Sequence, residues 1–204
     1  MHIPKAIVFD LGKVLVDFDY SRSARRLAER GRVTAEDVRA LIDHSELLFR
    51  FETGLIGAEE FFNQVRRGTG FEGTNEELRD IFADIFTEIP EMIALHAALR
   101  ARGLPTYIFS NTNEIAVPHI RSRYPFFSNF EAYVLSYEEG AMKPDPRIYE
   151  VVERVTGRRG PDILYIDDRP ENIESGARRG WQVIVQQEPH RTLEQVRALG
   201  LLAG

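Results

Sequence analysis

The chain has 204 residues, 43% of them hydrophobic and 28% charged, with a formal net charge of −6 and no cysteine. That size suits one large domain, or a core carrying a smaller insertion. The acidic balance speaks against wholesale nucleic-acid binding, and the absence of cysteine excludes disulfides, thiolate metal sites and a cysteine nucleophile. No apolar stretch approaches the ~20 residues of a membrane span, and Asp10 interrupts the first apolar run too early for a signal peptide. The expectation is a cytoplasmic protein without membrane or nucleic-acid partners, monomeric or a small homo-oligomer.

Ala6-Ile7-Val8-Phe9 reads as a strand that delivers Asp10 to the turn Leu11-Gly12-Lys13. The Asp10 side chain then emerges at a strand's carboxyl end, where open α/β sheets bind ligands. Residues 19–88 show no strand pattern. Thr34-x-x-Asp37 and Thr74-x-x-Glu77 have the form of capping boxes, and Ile81, Phe82, Ile85 and Phe86 make an apolar stripe at helical spacing. In the same block, Phe49-Arg50-Phe51-Glu52-Thr53-Gly54 reads either as a helix end with Gly54 just past it or as a substrate contact through Arg50 and Glu52. Nearby His44 reads as a packed or surface residue. Helices are then predicted over Pro90–Arg102, Pro146–Thr156 and Pro170–Arg179, each opened by proline and closed by a following glycine. They alternate with apolar runs at Thr106–Ser110, Ala132–Ser136, Ile163–Asp167 and Val183–Val185, the last introduced by Trp181. Such alternation predicts an α/β fold with a parallel sheet covered on both faces.

Four polar sites stand at the ends of these strands: Asp10, Ser110-Asn111, Lys143 and Asp167-Asp168. Singly, an acid after a strand is a turn residue, Ser-Asn is a loop or cap, and a lysine before proline is a solvated charge. Together they make a chemistry. Three converging carboxylates cost about 4 kcal/mol per close pair at an effective dielectric near 20. A divalent cation would remove that penalty, and oxygen donors favour magnesium. Asp10 could then attack phosphorus while Lys143 and the Ser110 hydroxyl hold the phosphoryl oxygens.

The sequence Phe9-Asp10-Leu11-Gly12, then Phe109-Ser110-Asn111-Thr112-Asn113, Met142-Lys143-Pro144 and Asp167-Asp168-x-x-x-Asn172-Ile173 resembles the haloacid dehalogenase (HAD) superfamily. Within it, these motifs are most similar to those of bacterial α-D-glucose-1-phosphate phosphatases. The resemblance implies a Rossmann-like three-layer core with a central parallel sheet, formed by residues 1–18 and 89–204. It also implies an inserted helical cap of the C1 type at 19–88. Asp10 would be the nucleophile, and Lys143 would bridge nucleophile and phosphate. Ser110 and Asn111 would bind phosphate. The Gly12 carbonyl and Asp168 would join Asp10 around Mg2+, with Asp167 either beside them or one layer behind. The implied activity is a magnesium-dependent phosphatase acting on a small phosphorylated metabolite through an aspartyl-phosphate.

One position departs from that pattern. Most phosphatases of the superfamily carry a second aspartate two residues after the nucleophile, as general acid and base; here it is Gly12. Lys13 is a poor substitute with an ordinary pKa of ~10.4, and Asp17 and Asp19 read as hinge or N-cap residues. A missing general acid typically costs ~10²–10⁴-fold in rate. That suits a better leaving group, such as the anomeric oxygen of a sugar 1-phosphate. Two alternatives remain at this point: a 2-haloacid dehalogenase-type hydrolase, whose halide leaves without a proton, and a catalytically weak phosphometabolite-binding module.

Overall fold

The structure, a computed structural model, describes residues 2–43 and 45–202; His44 lies outside the described residues. The chain begins with β1 (Ala6–Phe9) and a short β2 (Val16–Phe18). Five helices follow: α1 (Tyr20–Arg30), α2 (Ala35–Ile42), α3 (Glu46–Glu52), α4 (Ala58–Thr69) and α5 (Asn75–Ala83). After β3 (Phe86–Glu88) come α6 (Pro90–Ala101), β4 (Thr106–Ser110), α7 (Ala116–Arg123), β5 (Ala132–Leu135) and the single turn α8 (Ser136–Glu139). The chain ends with α9 (Pro146–Thr156), β6 (Ile163–Asp167), α10 (Pro170–Arg178), β7 (Gln182–Val185) and α11 (Pro189–Ala198). None of these helices is long and apolar enough to cross a membrane.

Five strands pair in parallel in the order β5-β4-β1-β6-β7. The chain leaves central β1 towards β4 and β5, then returns to its other side with β6 and β7, so strand order reverses beside β1. Such a switch point opens a crevice at the strands' carboxyl ends. The register decides what meets there. Phe9 lies opposite Ile108 and Ile166, so Asp10, one residue on, comes alongside Asp167 and close to the end of β4. The Asp10 amide continues the ladder to the Ile166 carbonyl at 2.9 Å.

Alternation along the strands sorts the two faces. Ile7, Phe9, Leu164 and Ile166 pack with Met92, Leu95, Leu99, Val117, Ile120 and Val196, which places α6, α7 and α11 on one face. Val8, Phe109, Ile163 and Tyr165 pack with Ile148, Tyr149, Val152 and Ile173, which places α9 and α10 on the other. The result is a three-layer Rossmann-like core. Helix ends follow local chemistry: α9 begins at Pro146 and stops at Gly157, which takes a left-handed φ of 63°.

Helices α1 to α5 enclose a separate apolar core in which Phe51 and Phe61 stack at 4.4 Å and Phe82 meets Phe61 edge-on. Both predicted capping boxes form, at Thr34 with Asp37 and at Thr74 with Glu77. Two expectations differ from the structure. The stripe Ile81, Phe82, Ile85, Phe86 is not one helix: α5 ends at Ala83 and Phe86 opens β3, which pairs antiparallel with β2. A three-residue strand is too short to show its period in sequence, and its apolar residues sat at helical spacing by chance of the turn. Ser136, expected to end a strand, opens α8 instead.

Contacts around α3, α4 and α8 help fasten the helical insertion to the core. The Ser136 hydroxyl donates to the Glu52 carbonyl at 2.5 Å while accepting the Thr112 amide at 2.9 Å. The Glu114 carboxylate accepts the Ala58 amide at the start of α4. Gly54, with φ 69°, lies so close to α8 that a Cβ would stand 2.2 Å from the Tyr137 carbonyl oxygen. Gly54→Ala is therefore expected to cost the left-handed strain of about 1–2 kcal/mol plus about 1–3 kcal/mol of overpacking. Gly157→Ala has the same strain and nothing within 4 Å of its Cβ. Unfolding free energies of the two variants from urea titration should differ by the second amount; equal values would show that the close approach carries no energy.

Candidate active site

Lys143 organises the crevice. It follows α8 on the loop beyond β5, and its backbone is gripped by Asn111, whose side-chain carbonyl accepts the Lys143 amide at 2.8 Å and whose amide donates to the Lys143 carbonyl at 3.0 Å. The Nζ, 1% exposed as part of its side chain, lies 3.0 Å from Asp10 Oδ1 and 2.6 Å from Asp167 Oδ2. It also donates to the Phe109 carbonyl at 2.9 Å, and it sits 4.9 Å from the Phe109 ring centroid. Burial works against the ammonium, but Asp10 and Asp167 outweigh it and hold the Lys143 pKa above its usual range.

The three acids are not equivalent. Asp167, on the last residue of β6, is wholly buried and saturated with donors. Oδ1 accepts the Arg169 amide at 2.8 Å and the Asn172 side-chain amide at 3.0 Å, and Oδ2 accepts from Lys143 and the Tyr165 hydroxyl. Burial alone would raise its pKa, but Lys143 and these donors hold it below the usual carboxylate range. Asp168 is half-buried with no side chain donating to it among the described residues; burial and the Asp167 charge push it up. Asp10 is pushed up to about 8, chiefly by burial, with Lys143 pulling against that and Asp167 and Asp168 adding to it. Ligand atoms of Asp10, Asp167 and Asp168 all lie within 4.8 Å of one another. The donor set is all oxygen, and the one ammonium of Lys143 faces three carboxyls, which fits a hard divalent cation.

Asp10, Gly12, Asn111, Lys143 and Asp168 border a cavity of about 570 Å³, roofed by Tyr20, Arg39, Leu48 and Glu52 from the insertion. Glu52 also borders a narrow cleft beside Gly12 and Ser110. The Glu52 carboxyl is pushed up to about 7 by burial, with Arg169 and Lys143 opposing. Arg50 does not border the cavity; α3 turns it away from the crevice, and its carbonyl accepts the Leu55 amide at 2.9 Å. The Ser110 hydroxyl is buried and donates to the Asn111 carbonyl at 3.3 Å. Asn113 caps α7 by accepting the Ile115 and Ala116 amides. Lys13, with φ 58°, turns aside to pair with Asp17 and the Phe18 carbonyl.

Tyr165 and Asn172 were not singled out as site residues. Tyr165 is two positions before Asp167 and so shares its face of β6, a signal present in the strand's period. Asn172 reaches back from the first turn of α10, which only the fold brings to Asp167.

Sheet order, switch point and helical roof define a doubly wound α/β protein with its site at the strands' carboxyl ends. The profile of haloacid dehalogenase-like hydrolases matches residues 4–180, and the chain belongs to that family. It is 30% identical over 186 residues to the D-ribitol-5-phosphate phosphatase of Bacteroides thetaiotaomicron, covering 87% of this chain and 89% of that one. A predicted HAD-like family hydrolase from Porphyromonas gingivalis superposes with a TM-score of 0.80 at 26% identity, covering 97% of this chain and 98% of that one. A HAD family enzyme from Bacteroides thetaiotaomicron, solved in complex with magnesium and inorganic phosphate, superposes at 0.79 with 23% identity, over 90% and 94% of the two chains.

Glu52 holds its proton more tightly in the folded chain than unfolded, where its value is 4.5. The stability it contributes is complete below that value and is lost as pH rises through about 7. In EDTA, the unfolding free energy from urea titration should fall by about 1–1.5 kcal/mol more between pH 6 and pH 9 in the unchanged chain than in Glu52→Gln. Equal profiles for the two chains would show that this carboxyl is not held protonated.

Proposed function

We propose that the protein is a magnesium-dependent phosphatase that hydrolyses a small polyhydroxylated phosphate monoester through an aspartyl-phosphate at Asp10. The observation that carries this reading is the buried lysine between two acids, 3.0 Å from Asp10 and 2.6 Å from Asp167, with Asp168 alongside. Lys143 orients the Asp10 carboxylate and offers positive charge to a phosphoryl oxygen. Asp10 attacks phosphorus, and the ester oxygen leaves on the opposite side. The resulting acyl phosphate is opened by water. Asp10, Asp168 and the Gly12 carbonyl would hold Mg2+. Asp167, its oxygens already occupied by four donors, stands behind them and positions Lys143 and the Arg169 loop. When bound, the cation offsets the acid cluster's charge and favours approach of a phosphate dianion.

Ser110 supplies a hydroxyl beside the phosphate path. Asn111 acts by fixing the Lys143 backbone, its side chain being used at both ends. Residues 19–88 form the C1-type cap, with the β2–β3 ribbon at its base. Its Tyr20, Arg39 and Glu52 face the substrate; Arg50 does not. A cavity of about 570 Å³ suits a small metabolite. The likeness to a D-ribitol-5-phosphate phosphatase supports a sugar or polyol phosphate, as did the motif likeness to glucose-1-phosphate phosphatases. A haloacid dehalogenase reading fits less well, because Asp168 without a cation would repel a carboxylate substrate.

Asp10→Asn should fold, by circular dichroism, and release phosphate at least ~10³-fold more slowly than the unchanged chain. EDTA should stop turnover of polyol 5-phosphates, sugar 1-phosphates or an aryl phosphate, and millimolar Mg2+ should restore it. Phosphate release that persists in EDTA, or in Asp10→Asn, would refute the assignment.

A further inference from the structure

The mechanism above lacks a group to protonate the leaving oxygen, and the structure shows why position 12 does not supply it. A Cβ on Gly12 would stand 2.8 Å from Cε1 of Phe18. That ring is fixed on three sides: edge-on to Tyr20 with centroids 5.5 Å apart, edge-on to Phe86 at 6.3 Å, and under the Lys13 ammonium at 4.7 Å. The place of a side chain is already filled.

Other acids along the cavity are committed. Asp19 accepts the Ser21 amide at 2.9 Å as the N-cap of α1, and the Ser21 hydroxyl together with that amide holds its carboxyl below the usual range. Asp168 belongs to the cation cluster, and Asp43 pairs with Arg39 at 3.9 Å on the outer wall. Glu52 differs from all of them. It borders both the main cavity and the cleft beside Gly12 and Ser110, and its carboxyl has no hydrogen-bond partner among the described residues. Its backbone is nonetheless immobilised. The Glu52 carbonyl accepts the Ser136 hydroxyl, which also holds the Thr112 amide; the next residue but one, Gly54, packs against the Tyr137 carbonyl. A carboxyl without a hydrogen-bond partner among the described residues, on a pinned backbone at the wall of the site where an acid is missing, is a poised group.

We propose that Glu52 is the general acid and base of this phosphatase, delivered by the helical insertion in place of the acid absent at Gly12. The assignment rests on the phosphatase reading above. In the first step the Asp10 oxygen bonds to phosphorus, the phosphorus–ester bond breaks, and the Glu52 carboxyl gives its proton to the departing oxygen. In the second, water attacks the aspartyl-phosphate while the Glu52 carboxylate takes its proton. The phosphorus–Asp10 bond breaks, leaving inorganic phosphate, the Asp10 carboxylate and protonated Glu52. Atoms and charge return to the start.

The environment suits both halves. Burial raises the Glu52 carboxyl to about 7, with Arg169 and Lys143 restraining it, so both forms are accessible near neutral pH. Glu52 ends α3, where the helix's negative end also disfavours the carboxylate. The titratable and charged groups around it are Asp19 and Tyr20 at the start of α1, Arg39 in α2 and Asp43 just after it, Lys13, Arg169 and Lys143 from the core loops, Asp145 and Arg147 at the start of α9, and Asp10 and Asp168 across the cavity. Its place on the insertion also ties proton transfer to docking of the cap.

The test compares Glu52→Gln with the unchanged chain on an alkyl phosphate and on p-nitrophenyl phosphate, both with Mg2+. On the alkyl ester kcat should fall ~10²–10⁴-fold with KM changed only a few-fold. The aryl ester, whose leaving group needs no proton, should give a burst of nitrophenolate and an accumulating phosphoenzyme, because opening of the acyl phosphate is slowed. The limb of the pH–kcat profile near 7 should vanish in Glu52→Gln and persist in Glu52→Asp. A raised KM at unchanged kcat would overturn the proposal and make Glu52 a substrate anchor. Equal losses on both esters without a burst would overturn it in favour of a purely structural role. Asp10→Asn separates the two readings: activity surviving there would sink the phosphatase itself, whatever Glu52→Gln does.

Discussion

Everything at this crevice is arranged around one buried cation, the Lys143 ammonium. It lies within 3.0 Å of carboxylates from two different strands, Asp10 from β1 and Asp167 from β6. A buried charge of this kind is tolerable only when paired and hydrogen-bonded, and removing one partner leaves the other stranded at a cost of about 3–5 kcal/mol. Asn111 holds the backbone and the Phe109 carbonyl takes a third ammonium proton, so the lysine has little freedom to leave. That fixity keeps Asp10 aligned without a substrate present.

The same pairing divides the labour of the two adjacent acids. Asp167 is consumed by Lys143, Tyr165, Arg169 and Asn172, whereas Asp168 keeps its oxygens for something else. Repulsion between neighbouring carboxylates is thus settled unequally: one is neutralised by protein donors and the other is left to a cation. Structural and chemical roles fall to residues one position apart because Asp167 is the buried last residue of β6, whereas Asp168, one residue past the strand, borders the cavity.

The insertion does more than cover the site. It is fastened by a hydroxyl that bridges the end of α3 to the loop after β4, by a carboxylate at the start of α4 and by a glycine packed on α8. These contacts place Glu52 on the wall of the cavity and leave Arg50, two residues earlier, outside it. A helix rotates its side chains by about 100° per residue, so of two candidates two apart only one can face the site.

How much of this was legible beforehand follows from what local sequence controls. Apolar runs and proline–glycine punctuation encode strands and helices through burial and backbone geometry, so the parallel core, the helical block and the capping boxes were readable residue by residue. So were the acids, because each stands at or just past the end of a strand that must face the crevice, whereas Lys143 lies eight residues beyond β5 and is brought in by the loop after α8. Short β2 and β3 carry too few residues to show a period, and their pairing joins segments about seventy residues apart. The unequal roles of Asp167 and Asp168 and the placing of Glu52 rather than Arg50 at the cavity are set by contacts between distant segments, and Phe18 fills the Gly12 position, six residues away, because Phe86 and Tyr20 hold its ring. Sequence determined which groups this protein possesses and that they lie at strand ends. Only the tertiary structure decided which of them touch, because burial, charge pairing and the space left by a ring are properties of the packed chain and not of any segment of it.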